Sequence, residues 1–123
     1  MQDYASTLAF ALLHKKSGTV IIYSLGDSTA IIGSTNGTET VCRQESRNKP
    51  ICTTATENGY TKAHISRHTL KKNDTVLLLT DGGAEAAEEI IANGSFTDEE
   101  ILINAFETAS VSDDHSFISM NCN

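Results

Sequence analysis

The sequence predicts a single α+β domain built mainly from antiparallel strands. Short runs rich in β-branched residues recur along the chain and are separated by turn sequences, a pattern typical of neighbouring antiparallel strands. Two segments of the second half have helical patterns instead, at residues 84–92 and 97–109. A chain of 123 residues supports one ordinary hydrophobic core, so residues 1–123 are interpreted as one domain.

The first third of the chain is predicted to form an antiparallel meander. Residues 6–14 and 19–25 form a hairpin, and residues 29–33 follow the break at Gly26-Asp27-Ser28. Asn36-Gly37, a strong hairpin signal, leads into residues 38–41. Because these strands are apolar at nearly every position, we expect other layers to cover both faces of the sheet.

The rest of the chain alternates between irregular, extended and helical patterns. The strand that precedes Asp81 is expected to be central and buried, because it is apolar at nearly every position. The second helix begins with a capping-box pattern, Thr-Asp-Glu-Glu. The predicted elements are, in order, an irregular connection over 42–58, an extended piece near 60–65, a polar turn at 71–74, a strand over 75–80, helices over 84–92 and 97–109, a turn at 111–115 and a strand over 116–121.

Charge and hydropathy exclude several classes of function. Sixteen acidic against nine basic side chains produce a net charge of −7, which opposes attraction to nucleic acids and to anionic membrane surfaces. No apolar run approaches the roughly 20 residues of a transmembrane helix. The first residues carry an acid where a secretory signal would carry basic residues, so a cytoplasmic location is predicted.

The cysteines and histidines do not form a convincing metal motif. Three cysteines are an odd number without a Cys-x-x-Cys pair, which favours reduced thiols over a disulfide framework. His64 and His68 have a His-x3-His spacing, but the upstream cysteines are ten positions apart, which is wrong for a zinc knuckle. Four basic residues of this acidic chain are interpreted as solvated: Arg43, Arg47, Lys49 and Arg67.

Two acidic turns carry the most information about chemistry. Residues 80–83, Thr-Asp-Gly-Gly, follow one strong strand, and residues 112–115, Ser-Asp-Asp-His, precede another. Carboxylates at converging strand ends are suitable ligands for a hard cation such as Mg²⁺ or Mn²⁺, which makes a bound water a usable nucleophile. The alternative is that each aspartate closes a turn or caps a helix.

Four segments in the same order resemble the metal-dependent protein phosphatases of the 2C type, including their bacterial relatives. The segment 70–82, which ends Leu-Leu-Leu-Thr-Asp-Gly, and the segment 112–118, which contains Asp-Asp-His-Ser-Phe, are the specific ones. Residues 6–12 and the Gly-Asp-Ser turn at 26–28 are similar to earlier motifs of the family. The resemblance covers most of the chain and implies an α/β/β/α sandwich of mainly antiparallel strands.

The resemblance also implies roles for individual residues. Asp81 and Asp113 match two aspartates that coordinate metal in this family, Asp27 matches a turn residue near the site, and Asp114 stands where the family has Asn or Asp. The implied reaction is direct attack on a phosphoserine or phosphothreonine of a phosphoprotein by water activated between two Mg²⁺ or Mn²⁺ ions.

The chain departs from the family at its N-terminus. The bridging aspartate of the family lies in an Asp-Gly-x-Gly motif upstream of the strand that residues 6–12 resemble, and the first five residues cannot hold it. The expected fold is therefore truncated at the N-terminus, and little phosphatase activity is expected from it alone. A non-catalytic phosphatase-like module remains the alternative. Exposed sheet edges and apolar surface predict a homo-oligomer or association with a missing N-terminal half.

Overall fold

A computed structural model describes residues 7–34, 37–42, 63–80, 83, 99–108 and 116–122. Within these ranges the chain forms short strands and one helix of three turns. In chain order they are β1 (Leu8–His14), β2 (Thr19–Leu25), β3 (Thr29–Ser34), β4 (Gly37–Cys42), β5 (His64–Thr69), β6 (Thr75–Leu79), α1 (Glu99–Thr108) and β7 (Phe117–Asn121).

The strands form two antiparallel sheets. The first sheet has the order β1-β2-β5 and the second has the order β4-β3-β6-β7. The predicted hairpins are confirmed, since β1 pairs with β2 and β3 pairs with β4. The prediction of one continuous meander is wrong, because β2 and β3 belong to different sheets. Gly26 has φ of 102°, a conformation that glycine adopts without strain, where the chain passes from one sheet to the other.

The main core lies between the two sheets. Side chains from one face of β1 and β2 pack against those from one face of β3 and β6, and the strand β6 is buried between β3 and β7 as predicted. Val20, Ile22 and Val76 are almost fully buried. Their burial removes three branched apolar side chains from water, which stabilises the domain by about 1.5–3 kcal/mol for each side chain.

Helix α1 covers the opposite face of the second sheet. Its residues Leu102 and Phe106 pack against Ile31, Leu77 and Leu79 of that sheet. The Phe106 ring stacks on the Phe117 ring with centroids 4.3 Å apart. The capping-box pattern therefore predicted a helix that is present, and its apolar stripe faces the sheet as expected.

No described element covers the outward face of the first sheet. Leu12 is 61% exposed and Ile65 is 65% exposed, although both lie within strands. The expectation that both faces of this sheet are covered is therefore not met by the described part of the chain. The helical layer that the α/β/β/α arrangement places here stays a prediction.

Two turns meet at the end of the molecule where β1 and β5 finish. The backbone N–H of Leu70 donates a 2.8 Å hydrogen bond to the carbonyl of Gly18, in the turn between β1 and β2. Gly18 has φ of 71°, and a Cβ there would lie 2.6 Å from the Leu70 carbonyl oxygen. The carboxylate of Asp74 accepts a 2.8 Å hydrogen bond from the Lys71 N–H, which closes the predicted polar turn.

Several predicted elements lie outside the described residues. These are the irregular connection over 42–58 beyond its first residue, Cys42, which ends β4, the first helix over 84–92 and the turn over 111–115. The extended piece expected near 60–65 is described only from residue 63, and its strand runs further, to Thr69. None of the described helical residues forms a segment long and apolar enough to cross a membrane.

Candidate metal-binding edge of the second sheet

Three strands of the second sheet end or begin at one common edge. Leu79, the last residue of β6, pairs with Thr29, the first residue of β3, and with Phe117, the first residue of β7. The chain segments just before β3, just after β6 and just before β7 therefore meet at this edge. The Gly-Asp-Ser break and the two acidic turns of the sequence lie next to these three strand ends.

A threonine hydroxyl joins two of these segments. The N–H of Thr80 donates to the carbonyl of Ser116 at 3.2 Å, and the N–H of Ser116 donates to Oγ1 of Thr80 at 3.0 Å. The same hydroxyl donates to the Ser116 carbonyl at 3.3 Å. The antiparallel ladder thus continues one step beyond the last strand pair and holds the end of β6 against the start of β7.

Gly83 lies within the same group of contacts. Its N–H donates to Oγ1 of Thr80 at 3.3 Å. A Cβ at this position would lie 2.7 Å from the carbonyl oxygen of Ser116, a separation that backbone atoms cannot accommodate without moving. The second glycine of the Asp-Gly-Gly sequence is therefore required by close approach of two chain segments.

A cleft of about 310 Å³ opens beside these contacts, between the start of β1 in the first sheet and the edge of the second sheet. Its polar groups come from threonine and serine hydroxyls and from backbone at the strand ends. Ile118 lines it and is 69% exposed, so this part of the space between the sheets is open to solvent. The lining residues are Thr7, Ala9, Ser28, Leu78, Leu79, Thr80, Ser116, Phe117 and Ile118.

Asp27 lies in the turn that connects the two sheets, two residues before β3 begins. It is half-buried. The turn is held from within by the buried hydroxyl of Ser24, which donates to the carbonyl of Ser28 at 3.2 Å. Asp27 thus lies at the same end of the second sheet as Thr80 and Ser116.

Asp81, Asp113 and Asp114 lie outside the described residues. Among the described residues no group of three or more His, Cys, Asp or Glu side chains is close enough to hold a metal ion. A metal at this edge would therefore depend on the two acidic turns.

The other motifs of the sequence do not converge on this edge in the described part of the chain. His64 and His68 lie in β5 of the first sheet, a strand that begins within the extended piece expected near 60–65 and runs beyond it. Arg67 is exposed in the same strand, as expected of a solvated charge. Cys122 is a free thiol.

Sequence reasoning assigned no role to Thr80 or Ser116. Thr80 directly precedes Asp81, and Ser116 directly follows the acidic turn at 112–115. A threonine between a buried strand and Asp-Gly is the sequence feature that could have indicated a structural role for Thr80. The sequence alone does not show that Thr80 and Ser116, which are 36 positions apart, form a hydrogen-bonded pair. Only the register of β6 against β7 establishes this pairing.

Residues 1–117 match the family described as protein phosphatase 2C. The chain belongs to that family. No curated protein matches the sequence.

Solved structures of phosphatases share the fold. The phosphatase domain of the cell fate determinant SpoIIE from Bacillus subtilis is 15% identical with a TM-score of 0.68, over 96% of this chain and 56% of that one. PppA, a key regulatory component of T6SS in Pseudomonas aeruginosa, is 16% identical with a TM-score of 0.72, over 95% and 58%. The photosystem II phosphatase PBCP is 20% identical with a TM-score of 0.62, over 82% and 44%.

The chain spans little more than half of the length of the SpoIIE domain and of PppA. At such identities the likeness concerns the fold: two mainly antiparallel sheets with a helix packed on one of them. The catalytic activity of these complete phosphatase domains is therefore proposed for this chain and is not shown by the shared fold.

Proposed function

We propose that this chain carries part of the active site of a metal-dependent serine/threonine protein phosphatase, and that Asp81 and Asp113 are its metal ligands. The observation that supports this most is the hydrogen-bonded pair of Thr80 and Ser116, because it joins the two chain segments that lead to these aspartates. Asp27 and Asp114 lie close to the metal in this proposal without binding it directly.

The donor chemistry of this edge suits Mg²⁺ or Mn²⁺. Both are hard cations that take oxygen ligands and keep several bound waters. Two carboxylates can therefore supply part of the ligand set of such a cation. When bound, the metal supplies an activated water for phosphomonoester hydrolysis. The residues of this chain bind the metal through their carboxylates, and Thr80 and Gly83 hold the strand ends in position.

Catalysis by the 123 residues alone is expected to be slow. They contain no Asp-Gly-x-Gly sequence, which in this family provides the ligand shared by both ions. Two carboxylates offer too little negative charge to hold two divalent cations tightly. A non-catalytic phosphatase-like binding or oligomerisation module is the second candidate, and the missing bridging motif is the observation that favours it.

We also propose partners and a cellular location for this chain. The substrate of an active site of this kind is a phosphoprotein, and the chain is proposed to act in the cytoplasm. The net charge of −7 argues against nucleic acid and anionic membrane surfaces as partners. Self-association, or association with a segment that supplies the bridging motif, is proposed as well.

Hydrolysis of p-nitrophenyl phosphate by the purified chain, with and without Mn²⁺, tests the phosphatase proposal. A slow rate that requires Mn²⁺ and disappears in Asp81→Asn is the expected result. The matched control is Glu107→Gln, which neutralises an exposed carboxylate on α1 and should leave the rate unchanged. A wild-type rate no higher than the background without protein would assign the chain to the non-catalytic alternative, and a Mn²⁺-dependent rate that Asp81→Asn leaves unchanged would contradict the role of Asp81.

A further inference from the structure

Exposed lysines are clustered at the end of the molecule opposite to the candidate metal-binding edge. The turn between β1 and β2 and the turn between β5 and β6 each carry two adjacent lysines. The two turns touch, because the N–H of Leu70 donates a 2.8 Å hydrogen bond to the carbonyl of Gly18. We call this group the lysine end; its members are Lys15, Lys16, Lys71 and Lys72.

No described carboxylate neutralises the lysine end. The only acidic residue of the two turns, Asp74, is 8% exposed, and its carboxylate accepts a hydrogen bond from the backbone N–H of Lys71. In the described part of the chain none of the four lysine side chains forms a salt bridge. Four of the nine basic side chains of a chain with a net charge of −7 are thus held together in two adjoining turns. The result is a local positive potential on an acidic protein.

Backbone hydrogen bonds hold both turns in fixed positions. The N–H of Gly18 donates to the carbonyl of His14 at 2.9 Å, and the N–H of Asn73 donates to the carbonyl of Cys122, just after β7, at 2.7 Å. The lysine stems therefore start from an ordered backbone, and a partner has only side chains to order when it binds. Holding like charges close together is unfavourable, and a bound anion offsets this repulsion.

The chemistry of lysine favours a run of carboxylates as the ligand. An ammonium group is a compact point charge on a flexible stem, whereas the planar guanidinium of arginine selects for shape. Neither turn contains an arginine, so the lysine end distinguishes its ligands by their number of charges. Four charges distributed over two turns suit several carboxylates along an extended segment better than one small anion.

The net charge of the chain favours a short acidic segment over a large polyanion. Screening limits the attraction of exposed charges to about 8–10 Å at physiological salt. A short segment therefore interacts with the lysine end alone. A nucleic acid duplex or an anionic membrane extends beyond the lysine end and meets the repulsion of the remaining acidic surface as well.

We propose that the lysine end binds an acidic segment of a partner protein, whose carboxylates pair with lysines of both turns. All of these contacts are exposed to solvent, so the complex is weak and is weakened further by salt. Strand β6 begins just after the second turn and ends at the candidate metal-binding edge, about 17 Å away for its five residues. Binding at the lysine end therefore requires neither the metal nor phosphatase activity.

Fluorescence anisotropy with a labelled oligoglutamate peptide tests the proposal on the full chain. A peptide of about eight residues extends over roughly 26 Å and can reach both turns. The wild type should bind it at about 50 mM salt and lose most of the binding at about 300 mM. An uncharged Gly-Ser peptide of the same length and label should not bind.

Two double variants test the lysines themselves. Lys15→Gln with Lys16→Gln, and Lys71→Gln with Lys72→Gln, should each raise the dissociation constant by about fivefold or more, because each removes half of the positive charge. Arg67→Gln is the matched control: it removes one exposed positive charge within β5 and should change the constant by less than about twofold. Circular dichroism spectra that match the wild type confirm that the variants are folded.

The outcomes separate this proposal from that of a phosphatase site. Asp81→Asn should bind the peptide as the wild type does, even if it abolishes hydrolysis. Absence of binding up to about 1 mM protein at low salt overturns the proposal, and so does binding that neither lysine double variant weakens. Tighter binding of duplex DNA or of anionic phospholipid vesicles than of the peptide would also overturn it.

Discussion

The hydroxyl of Thr80 makes three hydrogen bonds at the edge of the second sheet. It accepts from the N–H groups of Ser116 and Gly83 and donates to the carbonyl of Ser116. Valine has nearly the same shape but no hydroxyl, so a valine at this position leaves two N–H groups without this acceptor. Because Thr80 is exposed, water replaces part of what is lost.

Thr80→Val should lower the free energy of unfolding by about 1–2 kcal/mol, the net value of one or two hydrogen bonds at a partly solvated site. Thr80→Ser keeps the hydroxyl and should stay within about 0.5 kcal/mol of the wild type. Urea denaturation monitored by circular dichroism measures both. Equal stability of the two variants would show that the hydroxyl does not hold the strand ends together.

Helix α1 shows how a local pattern becomes a tertiary contact. Its apolar residues recur at helical spacing, and the structure directs Leu102 and Phe106 onto the second sheet. Phe106 is 4% exposed and stacks on Phe117, the first residue of β7. The helix therefore packs directly on the strand that leads away from the candidate metal site.

Phe106→Ala should destabilise the domain by about 3–5 kcal/mol, because it removes a buried ring and leaves a cavity between α1 and the sheet. Ile103→Ala on the exposed side of the same helix should change stability by less than about 1 kcal/mol. Thermal and chemical unfolding followed by circular dichroism compares the two. Similar small losses for both would mean that α1 is not packed on the sheet.

The strands and the helix were predictable from the sequence because their signals are local. Residues 19–25 are rich in β-branched residues and bounded by turn residues, and a capping-box sequence marks the start of the predicted helix over 97–109. The assignment of strands to sheets was not predictable, since a Gly-Asp-Ser break looks the same whether the chain turns back on itself or crosses to another sheet. Pairings such as β2 with β5 join segments far apart in the chain, and no local pattern specifies them.

The candidate site was partly predictable for the same reason. The acidic turns stand out in the sequence, and their aspartates were expected to share one end of the fold. The strand ends next to these turns come together because Leu79 pairs with both Thr29 and Phe117, which is a consequence of strand order. Exposed apolar surface was expected from the absence of the upstream motif, whereas the nearly continuous apolar strands alone predicted sheets covered on both sides.

At the scale of the whole molecule, charge is divided between the two ends. Lysines occupy the turns where β1 and β5 finish, whereas Asp27 and the segments leading to Asp81 and Asp113 lie at the other end. If Asp81 and Asp113 lie beside Asp27 as proposed, their carboxylates attract cations to this end of the second sheet. Metal binding should therefore depend on this edge and not on the acidic helix α1.

Mn²⁺ binding to the purified chain, measured by electron paramagnetic resonance titration, tests the central claim most directly. The wild type should bind Mn²⁺, and Asp81→Asn and Asp113→Asn should each weaken binding by about tenfold or more, since each removes one of two carboxylate ligands. Glu107→Gln should bind as the wild type does. Unchanged affinity in Asp81→Asn and Asp113→Asn would contradict the claim that these two turns form a metal site.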